Sequence, residues 1–131
     1  MRRDRAYSDP VNSALNYGYT VLRGHAIAAV VSAGLYAGWG VFHRGVGNQF
    51  ALADDLIEPF RPAVDNAVLN LLPDLNMELP EHKRALAAAA STLMGNGLKT
   101  VSSEMTLTAQ SIGAFFEDHK HPLHIPSWRG L

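Results

Sequence analysis

The segment from Asp9 to Gly34 constrains the fold most strongly, because it is the longest stretch of the chain with one consistent periodicity. Asp9 is a favourable helix N-cap, Pro10 suits the first helical position and Gly34 is a natural helix end. Within the segment, apolar residues recur at helical spacing, namely Leu15, Tyr19, Leu22, Ala26, Ala29, Val30 and Ala33. The pattern predicts one long helix, in which Gly18 and Gly24 permit close backbone packing.

An uncharged run of seventeen residues from Ala26 to Phe42 approaches the length of a membrane span. A transmembrane helix needs about 20 predominantly apolar residues. Gly34, Gly38 and Gly40 interrupt this run, and the helical periodicity stops at the first of them. We therefore predict a buried helix followed by a glycine-rich loop, and no membrane span.

The remaining sequence predicts four further helices and no strong strand, so the expected fold class is all-α. The predicted helices cover residues 50–58, 61–72, 80–94 and 103–118, with a break or kink at Pro59 between the first two. Two core stripes follow from the spacing, Val64, Val68, Leu71 and Leu72 in one helix and Met105, Ala109, Ile112 and Phe116 in the last. The expected organisation is a polar basic lead-in over 1–8, a helical domain over 9–118 and an irregular tail over 119–131.

Charge and cysteine content exclude some classes of function. The formal net charge is −1 and the sequence pI is about 6.6, which is not the basic footprint of a self-sufficient nucleic-acid binder. Any affinity for DNA has to come from local patches, a partner chain or a bound cation. The chain contains no cysteine, which excludes disulfides and thiolate zinc sites.

The densest polar cluster consists of Asp54, Asp55 and Glu58. Residues three and four apart are neighbours on a helix, where like charges repel and favour a cation or water between them. A solvated acidic face is the simpler interpretation. His43 precedes the cluster in the glycine-rich loop, and imidazole with carboxylates is a ligand set for Mn²⁺, although a single loop histidine is often only a surface residue.

A competing site is the tail, which contains His119, His121 and His124 and could bind a transition metal. The spacing of these histidines matches no common zinc pattern, and no cysteine is present to complete one.

Two long motifs give the chain a resemblance to a known family. The string DPVNSALNYGYTVLRGHAIAAVVSAGL at residues 9–35 resembles the long helix of the CRISPR-associated protein one family, the spacer-acquisition integrases. The string HRGVGNQFALADDLIEPFRPAVD at residues 43–65 resembles the signature of that family. The number of residues between His43 and Glu58 resembles that of the type II branch of the family. The ending LHIPSW is also similar to the leucine–proline finish of the family.

The resemblance implies a fold, a site and a reaction. The fold is the helical C-terminal domain of the family, with the active-site His43 in the glycine-rich loop. His43 and Glu58 match metal ligands for Mn²⁺ or Mg²⁺, and Asp55 matches a supporting acid in the catalytic set. We expect Asp54 to turn more towards solvent. The metal promotes attack of a DNA 3′-hydroxyl on a phosphodiester of the CRISPR repeat, in prokaryotic antiviral defence.

The implied partners are double-stranded DNA from the spacer precursor and the CRISPR repeat, CRISPR-associated protein two, and a second copy of the full-length family protein. The expected location is the prokaryotic cytoplasm, without a membrane. Arg44 and Arg61 are candidate DNA contacts, although Arg61 has an alternative in pairing with Glu58 or Asp65.

One departure from the family bears on function. The first metal ligand of the family is a glutamate upstream of the DPVN segment, and no acid before Asp9 lies in a motif similar to it. The β-domain used for dimerisation has no counterpart either, so the chain is expected to be a truncated form. Three hypotheses remain: an integrase or nuclease that needs its missing part, a catalytically incomplete module that binds DNA or other subunits, and a small helical protein without a metal.

Overall fold

A computed structural model describes residues 9–35, 51–94 and 99–126 of the chain. This part is helical, with one short two-stranded ladder, so the all-α prediction is confirmed. The helices are α1 (Pro10–Ser32), α2 (Ala51–Ile57), α3 (Arg61–Leu71), α4 (Pro80–Ala87) and α5 (Val101–Glu117). The strands are β1 (Leu93–Met94) and β2 (Lys99–Thr100), and 3₁₀ turns cover Glu58–Phe60 and Ala88–Ser91.

Helix α1 begins and ends where the sequence predicts. The Asp9 side chain accepts a hydrogen bond from the Val11 backbone N–H at 2.9 Å. At the other end Gly34 adopts a φ of +77°, and its N–H donates to the carbonyl of Val31. The N–H of Leu35 donates to the carbonyl of Val30, which completes a Schellman motif. Both ends of the helix are therefore satisfied by local hydrogen bonds.

Helix α1 is the central element, because α2, α3, α4 and α5 all contact it. Its buried residues are Ala14, Gly18, Leu22, Ala26, Ala29 and Val30. They are mostly small, so the neighbouring helices approach the α1 backbone closely. Leu15 and Tyr19, which the periodicity placed on the same stripe, are only partly buried at its edge.

The break predicted at Pro59 is a tight turn of 3₁₀ helix, Glu58–Phe60, between α2 and α3. Phe60 is 0% exposed and anchors this turn in the core. Glu58 and Pro59 remain on the outside of the turn. Helix α3 buries Val64 and Val68 as predicted, whereas Leu72 lies beyond the helix and is 42% exposed.

The helix predicted from Pro80 to Met94 is shorter than expected. Helix α4 ends at Ala87, and the chain continues through the 3₁₀ turn into β1. Strand β1 pairs with β2 in antiparallel register, Leu93 opposite Thr100 and Met94 opposite Lys99. These ladder hydrogen bonds replace the last helical turn. Leu86, Ala90 and Met94 of this segment are nevertheless buried.

Helix α5 buries its first half only. Its buried residues are Val101, Glu104, Met105, Thr108 and Ala109, and Ile112 is partly buried. The prediction that Phe116 belongs to the core is wrong, since its side chain is 49% exposed. The reason is geometric: α5 meets the end of α1 at Gly113, whose added Cβ would lie 3.5 Å from the carbonyl oxygen of Ala33. Beyond Gly113, α1 no longer covers α5.

No helix in the three described ranges is long and apolar enough to cross a membrane. Residues 118–126 form no helix or strand. The lead-in predicted over 1–8 and the glycine-rich loop that follows Leu35 lie outside the described residues.

Candidate metal centre

The residues predicted for a metal site fall partly within the described structure. Asp55 lies in α2 and is partly buried, and Glu58 begins the following 3₁₀ turn with 46% of its side chain exposed. His43 and Arg44 lie outside the described residues. The described structure therefore contains the carboxylate half of the predicted site, and the position of the imidazole stays a prediction.

Asp54 is part of an ion pair between α1 and α2. Arg23 Nε lies 2.8 Å from Asp54 Oδ1, and Arg23 Nη2 donates to Asp54 Oδ2 at 3.2 Å. The Asp54 side chain is only 20% exposed. The expectation that Asp54 turns towards solvent is therefore wrong. Arg23 and Asp54 are 31 positions apart, so only the packing of α2 against α1 brings them together.

Glu58 has an arginine partner of its own. Arg61 Nη2 lies 3.3 Å from Glu58 Oε1, and the two side chains are 41% and 46% exposed. This is the pairing considered for Arg61 from the three-residue spacing. A pair that is this exposed contributes about 0.2–1 kcal/mol at most. Its main effect is to orient both side chains.

Arg61 also contacts Tyr19 of α1. The guanidinium carbon of Arg61 lies 4.7 Å from the centre of the Tyr19 ring, a cation–π arrangement. The Tyr19 hydroxyl in turn donates to Asp65 Oδ1 of α3 at 2.5 Å. Sequence reasoning assigned Tyr19 to the apolar stripe and so missed this contact. No local spacing signals this contact, because Asp65 is 46 positions from Tyr19.

The environment of Tyr19 changes its acidity. Burial, followed by the hydrogen bond to Asp65 and the negative charge of that residue, raises the pKa of Tyr19 to about 12, although the positive charge of Arg61 opposes the shift. The hydroxyl therefore keeps its proton, and can donate to Asp65, to a higher pH than an ordinary tyrosine does.

These side chains border an open surface groove between α1 and the α2–α3 segment. The lining residues are Asn16, Tyr19, Thr20, Arg23, Asp54, Ile57 and Arg61. Both arginines on its rim are paired with carboxylates, Arg23 with Asp54 and Arg61 with Glu58. The groove is therefore polar but not strongly basic, and its charges are already balanced within the protein.

Carboxylate oxygens such as those of Asp55 and Glu58 are the donor class preferred by Mn²⁺ and Mg²⁺. Glu58 is exposed at a turn, where an ion can approach it. Within residues 9–35, 51–94 and 99–126, no group of three or more His, Asp or Glu side chains is arranged to hold a metal ion. The carboxylates of Asp55 and Glu58 therefore supply part of a ligand set for a divalent ion. A complete site needs a further ligand, and His43 is the residue predicted for that role.

The tail histidines do not form the competing site. The His119 ring stacks on Phe115, with 4.9 Å between centroids. His124 instead contacts the buried Glu104, with Nε2 at 2.5 Å from Oε2. His121 is exposed, and these three side chains form no metal-binding group. The described part of the tail therefore does not support the alternative metal site.

The fold and site together define a helical domain with an acidic turn beside paired arginines. Residues 1–106 match the sequence model of the family described as CRISPR associated protein Cas1. The chain belongs to this family.

Curated proteins of the same kind are similar to the chain. It is 38% identical over 93 residues to "CRISPR-associated endonuclease Cas1 2" of Pyrobaculum aerophilum. These aligned residues cover 70% of this chain and 32% of that protein. It is 45% identical over 64 residues to the Cas1 endonuclease of Neisseria meningitidis serogroup C, covering 49% of the chain and 21% of the relative. It is 47% identical over 70 residues to "CRISPR-associated endonuclease Cas1 1" of Thermus thermophilus, and the aligned residues cover 53% of the chain and 22% of that relative. The chain therefore spans a third or less of these relatives.

Proposed function

We propose that this chain supplies part of the active site of a divalent-metal-dependent DNA endonuclease and integrase of CRISPR adaptation. The observation that carries the proposal is the exposed Glu58 carboxylate at the turn after α2, held by Arg61. Its place in the DDLIEPFRP string is the one that the family resemblance assigns to a metal ligand. The relatives named above are endonucleases by name, which supports the same class of reaction.

Within this proposal, Glu58 and His43 hold Mn²⁺ or Mg²⁺, and Asp55 is a supporting acid next to them. When bound, such an ion polarises a phosphoryl oxygen and orients the attacking 3′-hydroxyl. Asp54 has a different task, because its carboxylate is bound by Arg23. It holds α2 against α1 and so fixes the helix that carries Asp55 and leads into the turn of Glu58.

The proposed substrates are double-stranded DNA, both spacer precursor and CRISPR repeat, in the cytoplasm of a prokaryote. CRISPR-associated protein two and a second copy of the family protein are the proposed partners. The formal net charge of −1 gives the chain little affinity for DNA by itself. Arg44 is the preferred candidate for a phosphate contact, because Arg61 is paired with Glu58 and packed on Tyr19.

The first experiment measures Mn²⁺ binding to the 131-residue chain by titration calorimetry. We expect the wild type to bind one ion weakly, and Glu58→Gln and His43→Ala each to lower the affinity at least about tenfold, since even partners of ligands affect affinity by that much. Glu81→Gln is the matched control, because Glu81 is an exposed acid in the first turn of α4. Equal affinity in the wild type and Glu58→Gln would contradict the proposed site.

A second experiment measures Mn²⁺-dependent strand transfer from a 3′-hydroxyl donor into a repeat-containing plasmid, with CRISPR-associated protein two added. Activity that disappears in Glu58→Gln but not in Glu81→Gln supports the catalytic role. Metal binding without strand transfer, together with retained DNA or subunit binding, would favour the catalytically incomplete binding module instead.

A further inference from the structure

We propose that Tyr19, Arg61 and Asp65 form a support that positions the Glu58 carboxylate for metal binding. The inference rests on the proposed function, in which Glu58 is a ligand. None of the three residues need touch the ion or the substrate, so all three are positioning residues. The support runs through three contacts, from Asp65 to Tyr19, from Tyr19 to Arg61 and from Arg61 to Glu58.

The first contact fixes Tyr19 relative to α3. Its hydroxyl donates to Asp65 Oδ1 at 2.5 Å and so links α1 to α3. A hydrogen bond to a charged acceptor is about twice as strong as a neutral one. The ring of Tyr19 is therefore held in one orientation, although it lies at the edge of the core.

The second contact fixes the guanidinium of Arg61. Its guanidinium carbon lies over the Tyr19 ring, 4.7 Å from the ring centre. Arg61 Nε is covered and has no hydrogen-bond partner among the described residues, so packing rather than hydrogen bonding holds this part of the side chain. The flat ring suits the flat guanidinium and would suit the ammonium of a lysine less well.

The third contact orients Glu58. Arg61 Nη2 lies 3.3 Å from Oε1. Glutamate loses up to about 2 kcal/mol of side-chain entropy when it is ordered. A carboxylate that is ordered before the ion arrives loses less of that freedom on binding, so its affinity for the ion is higher.

The positive charge of Arg61 acts in the opposite direction, because it repels a divalent cation. Asp65 offsets this charge, since it and Arg61 contact the same tyrosine. Arg61 and Asp65 together carry no net charge, and exposed charges are screened by solvent. We therefore expect orientation to outweigh repulsion, which gives the experiment a definite sign.

The test measures Mn²⁺ affinity by calorimetry and thermal stability by circular dichroism for five variants of the 131-residue chain. Arg61→Lys and Tyr19→Leu should each weaken Mn²⁺ binding about tenfold, at the lower end of the range for residues that orient ligands. Tyr19→Phe keeps the ring but loses the hydrogen bond to Asp65, so its affinity should lie between those of the wild type and Tyr19→Leu. Arg61→Gln should also weaken binding. Arg84→Lys is the control, because Arg84 is exposed in α4.

Two results would overturn the inference. If Arg61→Gln bound Mn²⁺ more tightly than the wild type, Arg61 would be a competitor of the ion and not a support. If Arg61→Lys and Tyr19→Leu lost only thermal stability and kept wild-type affinity, their role would be purely structural. Failure of the proposed function is a different outcome: there, Glu58→Gln itself would bind Mn²⁺ as well as the wild type.

Discussion

Gly18 of α1 packs directly against Val64 of α3. A Cβ atom added to Gly18 would lie 2.4 Å from Val64 Cγ1, a distance that requires the helices or the valine to move. The next residue along each helix is a member of the proposed support, Tyr19 after Gly18 and Asp65 after Val64. The close approach of the two backbones is thus what brings the tyrosine hydroxyl within hydrogen-bonding distance of the carboxylate.

We predict opposite effects of alanine at the two glycines within α1. Gly18→Ala should lower the free energy of unfolding by about 1–3 kcal/mol, as overpacking of a core does. Gly24 is exposed and has no atom within 4 Å of an added Cβ. Gly24→Ala should therefore stabilise the protein by up to about 1 kcal/mol through helix propensity. Urea unfolding of both variants measures this difference, and an equal loss in both would contradict the packing described for Gly18.

The sequence predicts most of the helical framework, because its signals there are local. Asp9, Pro10 and Gly34 define the ends of α1 through their own backbone preferences. The end of α4 depends instead on the ladder between β1 and β2, which no short-range pattern encodes. Likewise, the exposure of Phe116 depends on where α1 ends, so periodicity within α5 could not predict it.

We predict that Asp54 is structural and not a metal ligand. Because the Arg23–Asp54 pair is partly exposed, a double-mutant cycle with Arg23→Gln and Asp54→Asn should give a coupling of about 0.2–1 kcal/mol by urea unfolding. Asp54→Asn should also retain Mn²⁺ affinity within about twofold, well short of the effect expected for a change next to a ligand. A loss of affinity as large as that of Glu58→Gln would instead make Asp54 part of the site.

We predict that Tyr19 titrates at unusually high pH for a tyrosine. The ultraviolet absorbance of tyrosinate should show a titration with a pKa of about 12 in the folded protein, and Tyr19→Phe should remove it. Asp65→Asn should lower this pKa, because both the hydrogen bond and the charge of Asp65 raise it.

The sign of the effect on stability follows from linkage. A tyrosine in the unfolded chain loses its proton near pH 10.0, whereas folded Tyr19 keeps its proton up to about pH 12. The contribution of Tyr19 is therefore fully present below pH 10 and is lost as the pH rises through 12. Over that interval the free energy of unfolding should fall more steeply for the wild type than for Tyr19→Phe, and identical slopes would contradict the raised pKa of Tyr19.

The candidate site was predictable in its residue types but only partly in its contacts. The spacing of Asp54, Asp55 and Glu58 indicates a shared acidic edge, and Arg61 lies three residues after Glu58, within reach on one helix face. Arg23 is 31 positions from Asp54, and Tyr19 is 46 positions from Asp65. Such partners depend on how α1 packs against α2 and α3. The sequence alone therefore predicts that Asp54 faces solvent and that Tyr19 belongs to the apolar stripe of α1.

Our last prediction concerns the contact that ties the tail to α5. Glu104 is buried, with 10% of its side chain exposed, and His124 Nε2 lies 2.5 Å from its Oε2. The backbone N–H of His124 also donates to Ser111 Oγ at 2.8 Å. Removing the imidazole leaves a buried carboxylate without this partner, which costs about 1–3 kcal/mol for an unsatisfied buried polar group.

His124→Ala should therefore lower the melting temperature and release residues 119–126 from α5. Limited trypsin digestion measures the release, because Lys120 is an exposed cleavage site in this segment. We expect cleavage at Lys120 to be several times faster in His124→Ala than in the wild type. Glu104→Gln keeps a side chain that can hydrogen-bond His124, so its effect should be smaller.

His121→Ala is the matched control, since His121 is exposed in the same segment. If His121→Ala accelerated cleavage as much as His124→Ala, the loss would reflect general loosening of the tail, and the Glu104–His124 contact would not be what holds it.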